Sequence, residues 1–151
     1  MQDQEKNISK ADERQRSEAQ EMYRKGMRYV KGDGVQADPF KALDWFERAA
    51  LKGYAPAQYY MGSWHARGLL GSPDYAEAVK WYAKAAAQGN ADAQCALGLC
   101  HLLGRGVRKD EGEARRLLEQ SAAQGCEKAK SELEKLDNPP PKKRKKWFGL
   151  F

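Results

Sequence analysis

Three stretches of this chain repeat one another at a spacing of 36 residues, and that period restricts the fold more than any single motif in it. Gly26, Gly62 and Gly98 are in phase, as are Gly32, Gly68 and Gly104, and then Asp38, Asp74 and Asp110. Ala42, Ala78 and Ala114 follow, then Ala50, Ala86 and Ala122, and finally Gly53, Gly89 and Gly125. A fixed period of this length belongs to chains built from one supersecondary unit that cannot bury its apolar face alone and does so against the next copy.

Each recurring position has a physical task in a helix-loop-helix unit. The first helix is expected from about Ala19, Ala55 and Ala91, with Gly26, Gly62 or Gly98 in its middle. Glycine there costs about 1 kcal/mol relative to alanine, so close contact with another helix has to offset it. The helix ends at Gly32, Gly68 or Gly104, where a residue without Cβ can turn the chain through a left-handed conformation. Asp38, Asp74 and Asp110 occupy the N-cap of the second helix, reinforced by Glu77 and Glu113 three residues on and, in the first unit, by Pro39 at the first helical position. The second helix carries Ala42/Trp45/Ala49, Ala78/Trp81/Ala85 and Ala114/Leu117/Ser121 as one apolar stripe, and Gly53, Gly89 and Gly125 end it.

These residues resemble the Sel-1-like repeat, the 36-residue relative of the tetratricopeptide repeat. The fullest copies read APAQYYMGSWHARGLLGSPDYAEAVKWYAKAAAQG from Ala55 and ADAQCALGLCHLLGRGVRKDEGEARRLLEQSAAQG from Ala91. The resemblance covers residues 19–136. It departs at Lys25, which replaces the apolar residue of Met61 and Leu97, at His65 and His101, which replace the aromatic of Tyr29, and at Leu70, which replaces Gly34 and Gly106. The resemblance implies an all-α, right-handed α/α solenoid that binds protein or peptide partners through a concave face lined by the first helix of each unit.

The expected organisation is a polar, partly helical segment at residues 1–18, repeats at 19–54, 55–90 and 91–126, a capping helix at 127–137 and a flexible tail at 138–151. Residues 127–137 restart the repeat with Ala129 and Leu133 in phase, but Glu134 stands where Gly98 stood, and a charge there tells against another tightly packed helix. Lys25 reads as the solvent-facing counterpart at the other end, with a frayed helix over residues 9–18 as its expected cover.

Charge narrows the choice of partner. The chain of 151 residues carries 27 Lys and Arg against 21 Asp and Glu. Five of those cations, Lys142, Lys143, Arg144, Lys145 and Lys146, lie in the tail and no acid follows Asp137, which leaves residues 1–141 nearly neutral. A broad basic face of the kind that tracks a phosphate backbone is therefore not expected, and no specific nucleic-acid partner is. The first twenty residues lack the apolar core of a secretion signal, and Cys95 to Leu103, the most apolar stretch, is far shorter than the roughly 20 residues of a membrane span. Three cysteines, with Cys95 and Cys100 on different faces of one helix, suit a reducing compartment, so the expected location is cytoplasmic, extending to the inner membrane surface if the tail binds there.

Motifs for catalysis, metal or phosphate binding are absent, and neither cofactor nor catalytic residue is expected. His65 and His101 share one repeat position and read as packing in place of Tyr29; Cys95 and Cys100 read as small core residues. Some secreted Sel-1-like proteins are linked to β-lactam binding through paired cysteines, a spacing this chain does not share.

What remains is surface. The second, fifth, ninth and twelfth residues of each unit project to the inner side: Gln20, Tyr23, Met27 and Val30; Pro56, Tyr59, Ser63 and Ala66; Asp92, Cys95, Leu99 and Leu102. Tyr23, Met27, Tyr59, Ser63, Arg67 and Leu99 are the candidate partner-binding residues, with Trp64 nearby, because aromatic and methionine side chains bury much area for little entropy. A core position gives the same pattern, so both assignments stay open. The tail joins three prolines and the five cations to Trp147, Phe148, Leu150 and Phe151. It suits an anionic membrane, a partner's apolar groove or, in a eukaryotic source, nuclear import. The sequence thus predicts a non-enzymatic adaptor, with a tail-driven membrane or nuclear adaptor as the alternative and a β-lactam-binding enzyme as a weaker one.

Overall fold

A computed structural model of the chain describes residues 2–69 and 71–143. Among them there are seven helices and no strands: α1 (Gln2–Lys31), α2 (Pro39–Leu51), α3 (Ala55–Arg67), α4 (Tyr75–Ala87), α5 (Ala91–Leu103), α6 (Glu111–Ala123) and α7 (Glu127–Asp137). The main packing contacts join helices consecutive in sequence, which is the architecture of an α/α solenoid with three hairpins, α1–α2, α3–α4 and α5–α6, and α7 as a cap.

Local chemistry sets the element ends. The Asp38 carboxylate accepts from the backbone N–H groups of Phe40 and Lys41, Asp74 from that of Glu77 and Asp110 from that of Glu113. Gly68 and Gly104 close α3 and α5 in the left-handed region, at φ 66° and 65°. One carbonyl per unit ties each loop back: Tyr29, His65 and His101 accept from the N–H of Asp38, Asp74 and Asp110. The two histidine positions thus serve the same hinge as Tyr29.

The core is a row of joints. The first holds Phe46, Ala49, Ala57, Met61 and Trp81, the second Tyr82, Ala85, Ala93, Leu97, Cys100 and Leu117, and the third Cys95, Leu118 and Ala129. Alanine recurs at completely buried positions because the helices approach too closely for larger side chains. The mid-helix glycines follow the same logic: a Cβ on Gly62 would lie 2.5 Å from the Tyr82 ring, and one on Gly26 would lie 2.6 Å from Phe46.

The N-terminal end differs from the sequence expectation. Residues 9–18 are not a separate frayed cover for Lys25; they continue α1 without a break, since no proline or glycine interrupts them. A straight helix cannot fold back over its own later turns. Lys25 is exposed and stands over the Trp45 ring at 4.8 Å, with Arg48 at 5.1 Å. Trp81, one unit on, is buried by the preceding hairpin and has Lys84 over its ring at 4.6 Å, the counterpart of Arg48, so Lys25 is the cation particular to unit one, standing where Met61 stands in the next unit. At the other end Glu134 is exposed and α7 closes the stack. Asn138–Lys143 form no regular element. No described helix is long and apolar enough to cross a membrane.

Candidate functional site

The C-terminal halves of α1 and α3 diverge around an open pocket of about 440 Å³ whose walls are mainly aromatic. Tyr29 and Val30 come from α1, Phe46 from α2, and Tyr59, Tyr60, Ser63, Trp64 and Arg67 from α3, with Leu69 of the following loop at the edge. The α3 residues recur at steps of three and four, so one helix face supplies most of the wall. The floor is rigid. Phe46 and Tyr60 stack with ring centroids 5.0 Å apart, Tyr59 meets Tyr82 at 5.9 Å, and the Tyr82 hydroxyl donates to Ser63 Oγ at 3.4 Å.

Electrostatics leave one charge in this apolar setting. Arg67 is exposed in the last turn of α3 and forms no ion pair with a described carboxylate. Burial raises the Tyr82 pKa above that of an ordinary phenol, only partly countered by the Ser63 hydrogen bond and Arg67. The wall therefore presents neutral rings, hydroxyls and a single guanidinium, a surface suited to an apolar or aromatic side chain accompanied by an acceptor group.

Of the residues singled out from the sequence, Tyr59, Ser63 and Arg67 converge on this pocket. Tyr23 and Met27 instead pack against the first joint. Tyr23 lies 5.5 Å from the Phe46 ring and 5.2 Å from Tyr54, and burial, with Tyr60 beside it, pushes its hydroxyl up to about 12. Leu99 packs on the third joint beside Leu133 and Leu136, and Cys95, projected to the inner side, is buried there. Tyr29 and Tyr60 were not among the candidates. The doubled aromatic Tyr59-Tyr60 is the signal that points to them, because its second ring turns toward the preceding unit. Lys142 and Lys143 are exposed, whereas Arg144, Lys145, Lys146, Trp147, Phe148 and Phe151 lie outside the described residues.

No group of His, Cys, Asp and Glu able to hold a metal ion occurs among the described residues. His101 Nδ1 is buried without a hydrogen-bond partner there, in keeping with a side chain that fills the hinge position of Tyr29.

The family model described as Sel1 repeat matches residues 16–54, 55–90 and 91–126. Solved structures agree. The chain is 39% identical to a Sel1 repeat protein from Oxalobacter formigenes, with a TM-score of 0.71, over 77% of this chain and 34% of that one. It is 35% identical to a protective antigen of uropathogenic Escherichia coli strains that displays an SLR fold, again with a TM-score of 0.71, over 86% of this chain and 27% of that one. The Helicobacter pylori cysteine rich protein B shares the fold at 20% identity and a TM-score of 0.62, over 76% of this chain and 96% of that one. The chain thus spans about a third or less of the length of the first two. None of the curated proteins matches it.

Proposed function

Because the chain belongs to the Sel1-repeat family, we propose that it works as a non-enzymatic adaptor which seats a protein or peptide segment in the pocket between α1 and α3. Sel1-repeat proteins are generally protein-interaction scaffolds. The observation that carries the reading is the convergence of Tyr29, Tyr59, Tyr60 and Trp64 around the lone Arg67: rings supply area, and the guanidinium supplies direction. The basic, aromatic-ended tail is the second contact, on a protein or an anionic membrane. The reading places the chain in the bacterial cytoplasm, and the odd count of three cysteines supports it.

Selection of peptides from a random displayed library on the full chain, followed by affinity and melting measurements, tests the pocket. Trp64→Ala and Arg67→Glu are expected to weaken the selected peptide at least tenfold with little change in melting temperature. Unchanged affinity in both variants, or equal loss of binding and stability, would overturn the assignment.

A further inference from the structure

At the joint between α6 and α7 the chain brings two cysteines together that are 31 positions apart in sequence. Gly125, at φ 94°, turns the backbone out of α6, and Cys126 follows as the N-cap residue of α7. Its N–H donates to the Ser121 carbonyl at 3.2 Å, and its own carbonyl accepts from Lys130 N–H at 3.1 Å, so the residue is held at both ends. Its side chain packs against the third joint, where Cys95 of α5 is 3% exposed among Leu118 and Ala129. Cys126 and Cys95 thus share one joint, and each thiol influences the other's ionisation.

The pair is asymmetric. Cys126 is half-buried and open to a small reagent, while Cys95 lies behind it. Burial pushes the Cys126 thiol up, but the neighbouring Ser121 hydroxyl, the Ala129 N–H, the Cys95 thiol and the Lys128 N–H together more than offset this, and its pKa is lowered. Cys126 makes no side-chain capping hydrogen bond, but its place at the N-terminus of α7 sets the thiol in the field of the helix, which favours a thiolate. Cys95 is pushed up to about 12 by burial and by Cys126 beside it, so it stays protonated at neutral pH. One thiol is prepared to attack and the other is held in reserve. Cys100, buried in the second joint on another face of α5, belongs to neither role.

We propose that Cys126 and Cys95 form a thiol-exchange site at which a small-molecule disulfide is reduced and α7 becomes covalently stapled to α5. In the first step the Cys126 thiolate attacks one sulfur of the reagent; a new S–S bond forms, the reagent's S–S bond breaks, and its departing thiolate takes up a proton. In the second step Cys95 attacks the Cys126 sulfur, the mixed S–S bond breaks, and the second small thiolate leaves with the Cys95 proton. Two protein thiols are oxidised, and one disulfide is reduced to two thiols. The staple fixes the cap that closes the third repeat, so oxidation stiffens the C-terminal end of the stack and leaves the α1–α3 pocket untouched.

The test uses the full chain, reduced and then exposed to oxidised glutathione, with intact mass and peptide mapping after the remaining thiols are blocked. The expected product has lost two hydrogens, links the peptides of Cys95 and Cys126, leaves Cys100 free, and unfolds at a higher urea midpoint than the reduced chain. Cys95→Ala should halt at a glutathione adduct on Cys126, and Cys126→Ser should form no protein disulfide, each with an unaltered helical circular dichroism spectrum. A wild-type chain that ends as the stable adduct, links Cys100, or reacts at Cys126 no faster than the urea-unfolded chain overturns the proposal.

Discussion

The side-chain amide of Gln88 donates to Gln58 Oε1 at 2.8 Å, and Gln58 in turn donates to the Ala50 carbonyl at 3.2 Å. One unit later Gln124 donates to Gln94 Oε1, also at 2.8 Å, and Gln94 donates to the Ala86 carbonyl at 3.5 Å. Gln58 and Gln94 are only 5% and 6% exposed. A buried amide is tolerated because its oxygen and nitrogen are both engaged, and the two partners belong to successive hairpins. Unit one has Met22 and Lys52 at the corresponding positions, where there is no earlier hairpin to join.

Removing the ladder should therefore cost more at the buried rung than at the exposed one. Gln94→Ala removes both hydrogen bonds of a buried amide, although the Ala86 carbonyl keeps the Gly89 N–H and the Gln124 amide keeps the Gly89 carbonyl, and is expected to destabilise by about 1–3 kcal/mol. Gln124→Ala, on the exposed side, should cost about 0.5–1.5 kcal/mol. Urea unfolding midpoints of the two variants check the order.

The mid-helix glycines should not respond alike to alanine. At Gly62 a new Cβ meets the Tyr82 ring at 2.5 Å, so Gly62→Ala is expected to lose about 1–3 kcal/mol despite the better helix propensity of alanine. At Gly98 the Cβ meets Leu118 Cγ at 3.1 Å and the Ala114 carbonyl oxygen at 3.3 Å, a looser fit than at Gly62, and the propensity gain of about 1 kcal/mol offsets part of the strain. Gly98→Leu should be destabilising, because a side chain beyond Cβ has no room against Leu118 and the Ala114 carbonyl. Thermal melts showing Gly62→Ala to be silent would contradict the packing described.

Capping is local and should be additive with these effects. Asp110→Ala removes the acceptor of the Glu113 N–H and should cost about 0.5–2 kcal/mol, with Asp110→Asn recovering most of it. Calorimetry on the two variants, and on Asp110→Ala combined with the distant Gly62→Ala, measures both the cap and its independence.

For the tail, charge and apolar area predict separable losses at a membrane. Changing Lys142, Lys143, Arg144, Lys145 and Lys146 to Ser should abolish the salt dependence of binding to anionic vesicles, where five cations contribute at most about 5 kcal/mol at low salt and screening acts over about 8 Å under physiological conditions. Removing Trp147 and Phe148 should weaken sedimentation with vesicles at every salt concentration. A tail that instead docks on a protein would leave vesicle binding negligible throughout.

The period, the element ends within the repeats and the C-terminal end of the stack were legible in the sequence because each is set by residues close together in the chain. Asp38, Asp74 and Asp110 cap the N–H groups two to three residues on, and Gly68 and Gly104 turn the chain where they stand. Glu134 could be read as a stop because a charge in place of a mid-helix glycine is wrong for close packing whatever lies opposite. The length of α1 was not legible in the same way, since a polar run free of breakers is compatible with both a frayed and a continuous helix.

Partner choice across the hairpins was a matter for the tertiary structure. The sequence showed that Gly62 must meet something, and Ala78/Trp81/Ala85 was the visible stripe; the crossing of α3 and α4 puts Tyr82, the next residue, against the glycine and turns Trp81 back to the preceding unit. The same rotation puts Tyr23 and Met27 against a joint, Ser63 and Arg67 on a pocket and Tyr59 against both, although all five were projected on one face or beside it. It also brings Gln88 to Gln58 across 30 positions of chain and sets Cys126 against the joint that holds Cys95. By itself the sequence determined how each unit folds and where stacking stops, since caps, turns and helical period act within a few residues; which side chains meet depends on the angle and register at which packed helices cross, and only the assembled stack sets those.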